Sequence, residues 1–270
     1  KTWEHIGLED SWSIAEIAVD PTNPNIVVVS VLGHLWTTNK NRGIYRTTDG
    51  GKTWEHVLYK DELTGANDIV ISPMNPKIMY ASLWEVYPGI SGVNSGVYKS
   101  NDGGKTWTPC KNGLPTGPNV GRIGVSVSFT NPNKAYALVD NLNNPKNQAA
   151  ELYKTEDGGL TWNKTHSSPF KIFSAYGWYF TNVYVNPKND EETVIIYEVL
   201  PIGFGYYWLK YMPIFGLILF NLILFIESAS LKVFQIINPI IFSFILFSHF
   251  YMWRKKNKLV TDFKRIFEIE

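Results

Sequence analysis

Small antiparallel sheets of four strands, repeated along the chain, are the fold the sequence predicts, and three observations carry that expectation. An eight-residue phrase is written three times, "TTDGGKTW" at Thr47 to Trp54, "SNDGGKTW" at Ser100 to Trp107 and "TEDGGLTW" at Thr155 to Trp162. Trp3, Trp54, Trp107 and Trp162 fall in one column, 51, 53 and 55 residues apart. After each tryptophan comes a strand, a turn and a strand, as in "IAVDPTNPNIVVVS" from Ile17. A period near 50 residues with about four short strands per unit is the signature of a β-propeller blade. The chain is therefore expected to be all-β over residues 1–200, a partial propeller of three nearly complete blades and part of a fourth. A hydrophobic and helical tail is expected over 201–270.

Each element has a local reason. The paired strands are rich in Val and Ile, and the turn between them is built on Asn-Pro, where proline fixes φ and cannot pair inside a ladder. The stretches "IVISPMNPKIMYAS" from Ile69, "VSVSFTNPNKAYAL" from Val125 and "VYVNPKNDEETVII" from Val183 repeat the plan. A third strand, in "RGIYRTT", "SGVYKSN" and "AELYKTE", leads into the Asp-Gly-Gly corner. There the side chains of Asp49, Asp102 and Asp157 are placed to accept backbone N–H groups of their own turns. Gly50, Gly51, Gly103, Gly104, Gly158 and Gly159 permit positive φ, and Trp54, Trp107 and Trp162 are expected to pack between sheets. Identical residues at one position of every blade read as turn locks rather than catalytic carboxylates or metal ligands.

The phrase resembles the Asp box of the BNR repeat, found in sialidases, sortilin-type receptors, xyloglucanase-type glycosidases and a photosystem II assembly factor. The fuller wording, including "GHLWTTNKNRGIYRTTDGGKTW" and "GLPTGPNVGRIGVSVSFTNPNKAYAL", is similar to bacterial sortilin-N-terminal-like proteins often labelled glycosyl hydrolases. The resemblance covers about residues 1–192 and implies the propeller fold.

With strands A to D running outward from the axis, the Asn-Pro turns (A–B) and the Asp boxes (C–D) lie at one end of each blade. Recognition is then expected at the other end, where the D–A and B–C loops ring the channel. Those loops contain "GLEDSW", "YKDELTGAND" and "KNGLPTGPNVGR" on the D–A side, and "GHLWTTNKNR", "LWEVYPGISGVNS" and "VDNLNNPKNQ" on the B–C side. From them come the ligand-binding candidates Asp10, His34, Trp36, Arg42, Asp61, Asp68, Trp84, Glu85, Arg122 and Asp140. Aromatic faces suit apolar patches of sugars, and Asp, Asn and Arg suit hydroxyls. Each also has a plainer reading: His34, Trp36 and Trp84 as packing, Glu85 as a solvated residue, Arg122 as the partner of a nearby carboxylate.

Sialidase chemistry needs three clamping arginines, and residues 1–192 hold only Arg42, Arg46 and Arg122, with Arg46 on the Asp-box side. A two-carboxylate glycosidase needs acids about 5–10 Å apart, and Asp10, Asp61, Asp68, Glu85 and Asp140 are available, with no spacing that selects a pair. No hydrolase elbow, zinc motif or phosphate loop is present. No cofactor or metal is expected, and a net charge of +1 with no basic face before residue 254 argues against nucleic acid. The single cysteine, Cys110, excludes an internal disulfide.

Residues 201–270 contain no Asp-Gly pair and turn apolar at 211–226 and 233–253. The second run is 21 residues without a charge, about a bilayer's width, and the following "RKKNK" would hold the C-terminus in the cytoplasm. The abrupt join would equally follow from a shifted reading frame. The expected function is an extracytoplasmic, non-catalytic binding or scaffold module for a glycan or polypeptide, membrane-tethered through 233–253 if that span is genuine. The alternative is a fragment of a BNR-repeat glycoside hydrolase using paired carboxylates.

Overall fold

The computed structural model describes residues 2–143, 149–167 and 181–196, and in these the chain is all-β apart from one 3-10 turn at Glu9–Ser11. The first sheet comprises β1 (Ile14–Val19), β2 (Val27–Val31), β3 (Gly43–Thr47) and β4 (Glu55–Leu58), hydrogen-bonded in that order. The second comprises β5 (Thr64–Ile71), β6 (Met79–Glu85), β7 (Gly96–Ser100) and β8 (Thr108–Cys110). The third runs through β9 (Val120–Val127), β10 (Ala135–Asn141), β11 (Ala149–Thr155) and β12 (Asn163–Lys164), and the fourth holds β13 (Asn182–Val185) and β14 (Thr193–Ile196). All pairings are antiparallel. The three four-stranded blades and the half blade thus stand where the repeat put them. The tail, with its segments 211–226 and 233–253, lies outside the described residues; among the described residues no helix is long and apolar enough to cross a membrane.

The Asp boxes are turn locks in detail. Asp49 accepts the Thr53 amide at 3.0 Å and the hydroxyls of Thr53 and Thr47, both at 2.7 Å. The Thr47 hydroxyl in turn accepts the Gly51 amide at 3.0 Å. Asp102 with Ser100 and Thr106, and Asp157 with Thr155 and Thr161, repeat the lattice. Each box is also tied to the A–B turn of its own blade: the amides of Gly50, Gly103 and Gly158 donate to the carbonyls of Asn25, Lys77 and Asn133 at 3.0, 3.0 and 2.8 Å. Both kinds of turn therefore share one end of the blade.

The second box glycine faces the preceding blade. A Cβ on Gly104 (φ +81°) would lie 3.2 Å from Val28 and 3.1 Å from Met79, and one on Gly159 (φ +85°) 3.1 Å from Tyr80. Between blades, Val28, Ile44, Ala66, Ile69, Met79 and Leu83 form one buried cluster, and Tyr80, Val97, Ile123, Val125, Ala137 and Trp162 another. Trp162 meets Tyr80 edge-on at 6.1 Å, so this box tryptophan does pack between sheets. Trp3 departs from its column: it is fully exposed, because no described strand lies beside it.

Blades are further stitched by polar groups. The Arg46 Nε donates to the Gly103 carbonyl at 2.7 Å, joining blade one to the box of blade two. Buried Lys134 pairs with Asp190 at 2.8 Å and with Glu191, and the Tyr136 hydroxyl donates to the Asp190 carbonyl, joining blade three to the A–B turn of blade four.

Gly104→Ala is expected to destabilise the protein by about 1–3 kcal/mol, since the backbone there is left-handed and the neighbouring blade is in the way. Urea denaturation checks this. A second expectation concerns acid. Hydrogen bonds from Thr53 and Thr47 hold Asp49 at about 2, those from Thr161 and Thr155 do the same for Asp157, and at Asp102 the bonds from Thr106, Ser100 and Lys105 outweigh a desolvation penalty to reach about 2. An unfolded aspartate titrates near 3.9. The stability these carboxylates contribute is complete above that value and disappears as pH falls from about 4 to about 2. Circular dichroism across that window should show a midpoint that Asp102→Asn moves upward.

Candidate functional site

At the end away from the boxes, the A–B pairing of each of the first three blades carries a bulge, at Ile14/Glu16, Ala66/Asp68 and Val139/Asn141. A bulge adds a residue to one strand and re-aims the next side chain. Here the bulges lie at Glu16, Asp68 and Arg122 of the A strands of three successive blades, and Tyr184 comes from β13. Glu16 and Arg122 act electrostatically on Asp68, and all three act on Tyr184. Burial is the main influence on Asp68 and raises its carboxyl to about 7; Glu16 pushes it the same way, while Arg122 and the Val125 amide, which donates at 2.8 Å, oppose. The Tyr184 hydroxyl is raised by burial and by the charges of Asp68 and Glu16. Arg122 therefore lies within electrostatic reach of Asp68. Asn67 and Ser82 brace the Asp68 segment by donating to the Ile123 carbonyl at 2.8 and 2.6 Å.

A second concave region lies on the rim of blade one. Asp10, Trp12, His34, Thr38, Asn39, Lys40, Asn41 and Glu62 line an open pocket of about 300 Å³. Trp12 is 70% exposed, sits at φ 56°, and lies against His34 with ring centroids 4.0 Å apart and planes tilted by 37°. The side-chain Nδ2 groups of Asn39 and Asn41 both donate to the Asp10 carbonyl at 3.4 Å, which fixes the 3-10 turn against the B–C loop.

Arg42 is not on that surface. It is fully buried, its Nε donating to Glu62 O at 2.9 Å and its terminal nitrogens to the carbonyls of Leu32, His34 and Thr37. Burial lowers its pKa while Asp61 raises it. A planar fork spent on four carbonyls is a bracket that shapes the loop. The expected cluster of His34, Trp36 and Arg42 is thus divided: His34 turns to Trp12, and Trp36 is 76% exposed outside the pocket.

Three other candidates are occupied by loop construction. Asp61 accepts the Leu63 and Thr64 amides at 2.9 and 2.8 Å and the Asn94 side chain at 2.8 Å, capping the entry to β5. Trp84 is 2% exposed and donates to the Ile90 carbonyl at 2.8 Å, a core residue that pins the B–C loop. Glu85 accepts the Asn94 amide at 3.0 Å, and its carboxyl fills the space a Cβ on Gly92 would need. Asp140 is 3% exposed, and burial raises it to about 6. Among the described residues there is no cluster of three acidic, histidine or cysteine groups suited to a metal. Sequence reasoning missed Glu16, Trp12 and Tyr184. Trp12 lay inside the quoted "GLEDSW", whereas the bulge that aims Glu16 leaves no mark in the sequence.

The comparisons agree with this architecture. The Sortilin-Vps10 family, described as sortilin, neurotensin receptor 3, matches residues 42–199. A xyloglucanase of Acetivibrio thermocellus is 25% identical over 210 residues, covering 66% of this chain and 23% of the relative. A probable oligoxyloglucan-reducing end-specific xyloglucanase of Neosartorya fischeri is 28% identical over 194 residues, covering 66% and 22%. The chain thus spans less than a quarter of the length of these relatives. The solved GH74 enzyme of Niastella koreensis superimposes with a TM-score of 0.52 at 20% identity, over 68% of this chain and 28% of that one, a likeness of fold.

Replacing Arg42 by Lys removes the fork while keeping the charge, and leaves carbonyls of Leu32, His34, Thr37 or Glu62 without a donor. Each buried acceptor so exposed costs about 1–3 kcal/mol. Thermal unfolding of the variant should show a loss of that size, with the rim loops 33–42 and 59–63 losing amide-exchange protection first.

Proposed function

The chain belongs to the Sortilin-Vps10 family, and from that premise we propose that it is a segment of a glycoside-hydrolase-type β-propeller whose loop end takes a glycan of the xyloglucan kind. What carries the reading is sequence similarity, over two thirds of the chain, to relatives named as xyloglucanases. It favours the paired-carboxylate alternative over a non-catalytic module for a glycan or polypeptide.

Two acids on neighbouring A strands, Asp68 and Glu16, support the reading, because Glu16 acts electrostatically on Asp68. A glycosidase acid must keep its proton near neutral pH while the second carboxylate stays ionised. Asp68, raised by burial to about 7, suits the proton donor. Glu16, exposed on the neighbouring A strand, is the second carboxylate of the proposal. Arg122 would orient the acid by its charge, and Tyr184 would offer a hydroxyl to the sugar. Asp61 and Glu85, committed to loop amides, are poor choices. A polymeric glycan is met outside the cytoplasm, so the reading places the propeller there. Membrane attachment through 233–253 is no part of it.

Reducing-sugar release from xyloglucan by the purified chain tests the proposal. Asp68→Asn and Glu16→Gln are each expected to lower kcat/KM by about 10²–10⁴-fold. In the unaltered protein kcat/KM should fall as pH rises through about 7, because Asp68 then loses its proton. Saturable binding without turnover, or turnover indifferent to both substitutions, would return the chain to the class of binding modules.

A further inference from the structure

The rim pocket of blade one has no part in the pairing of Asp68 with Glu16, yet it has the makings of a site. Trp12 shows most of its indole to solvent while one side of the ring is propped by His34. Its positive φ is a backbone region that residues with a Cβ rarely adopt, and the conformation is held by the neighbouring Leu8–Ser11 turn, whose Ser11 amide donates to Leu8 O at 3.0 Å. A large aromatic surface is thus fixed in place at the mouth of a cavity. The floor is equally fixed: Asn39 and Asn41 are tied to Asp10, and the Asn39 amide donates to the Glu62 carbonyl at 3.0 Å.

Around this surface the side chains of Asp10, Thr38, Lys40 and Glu62 reach solvent. They supply carboxylate acceptors, a hydroxyl and an ammonium donor within one opening. A flat apolar face bordered by mixed donors and acceptors matches a pyranose ring, which offers C–H groups on one face and hydroxyls around its edge. An anion would meet Asp10 and Glu62. A quaternary ammonium would meet Lys40, and would find one aromatic wall in place of a cage. The volume, about 300 Å³, is at the small end for ligand sites and suits one or two sugar rings.

We infer that this pocket is a binding subsite for a neutral pyranose, with Trp12 as its stacking platform and Asp10 and Glu62 as acceptors of sugar hydroxyls. The inference rests on the glycan reading given above and extends it to a second, non-catalytic position on the rim.

Calorimetric titration of cellotetraose into the full chain tests it, with xyloglucan hydrolysis followed in parallel. Trp12→Ala should weaken binding at least about tenfold, a difference of about 1.4 kcal/mol. Trp12→Phe should retain part of the affinity, Asp10→Asn combined with Glu62→Gln should weaken it, and Trp36→Ala, outside the pocket, should leave it unchanged. Because Trp12 is exposed, unaltered melting temperatures are expected and show that the fold survives. Absence of cellotetraose binding, binding indifferent to Trp12→Ala, or a Trp12-dependent preference for tetramethylammonium over the sugar would each overturn the assignment. The two readings fail separately. Trp12-sensitive binding without hydrolysis retains the subsite and removes the enzyme, and hydrolysis with KM unmoved by Trp12→Ala does the reverse.

Discussion

One short bond recurs in every complete blade and the rest of the fold depends on it: the first box glycine gives its amide to a carbonyl of the A–B turn. That bond joins the C–D corner to the A–B corner, so four strands become one unit at that end. The next glycine, with no side chain, lets the preceding blade approach to contact, as Gly159 does beneath Tyr80. Sheet closure and blade stacking are thus solved within a few residues. Because both solutions lie at the same end, the loops at the other end are not needed to tie strands or stack blades, and they vary in length and chemistry.

The carboxylates divide along the same line. Box aspartates are surrounded by amides and hydroxyls that donate to the ionised form, and they titrate at about 2. Asp140 is buried and Asp68 half-buried, and for both desolvation outweighs the donors, so that they titrate at about 6 and about 7. Identical side chains are therefore shifted in opposite directions, according to whether their surroundings favour the charge. Composition alone does not reveal this difference.

The repeat made the fold legible: period, strand count, turn chemistry and the common end of the two turns could all be read from the phrase and its Asn-Pro companion. The loop face was legible only as a set of residue types. Arg42 and Trp84 were candidate ligands because they fall in or beside loops, with packing the plainer reading of Trp84; each is buried and satisfies backbone carbonyls that the loop's own course leaves unpaired. Loop conformation is set by such individual bonds, which leave no periodic trace. Glu16 went unnoticed for a different reason. It lies within a strand, and only a bulge turns an ordinary strand residue toward the channel.

The bonds described above for the candidate regions cross at most one blade boundary. Arg42 reaches Glu62, Asn67 and Ser82 reach Ile123, and the Asp68 carboxylate reaches Val125. In assemblies held together by nearest-neighbour contacts, local geometry depends on adjacent repeats and only weakly on the total number. A segment spanning less than a quarter of its relatives can therefore hold its rim pocket and its strand-A carboxylates in place while other blades are supplied elsewhere. Closure of a ring would add the opposite wall of the channel. It would leave the residues that face the channel from these blades as they stand, because their orientation is set by the bulges and the neighbouring A strands.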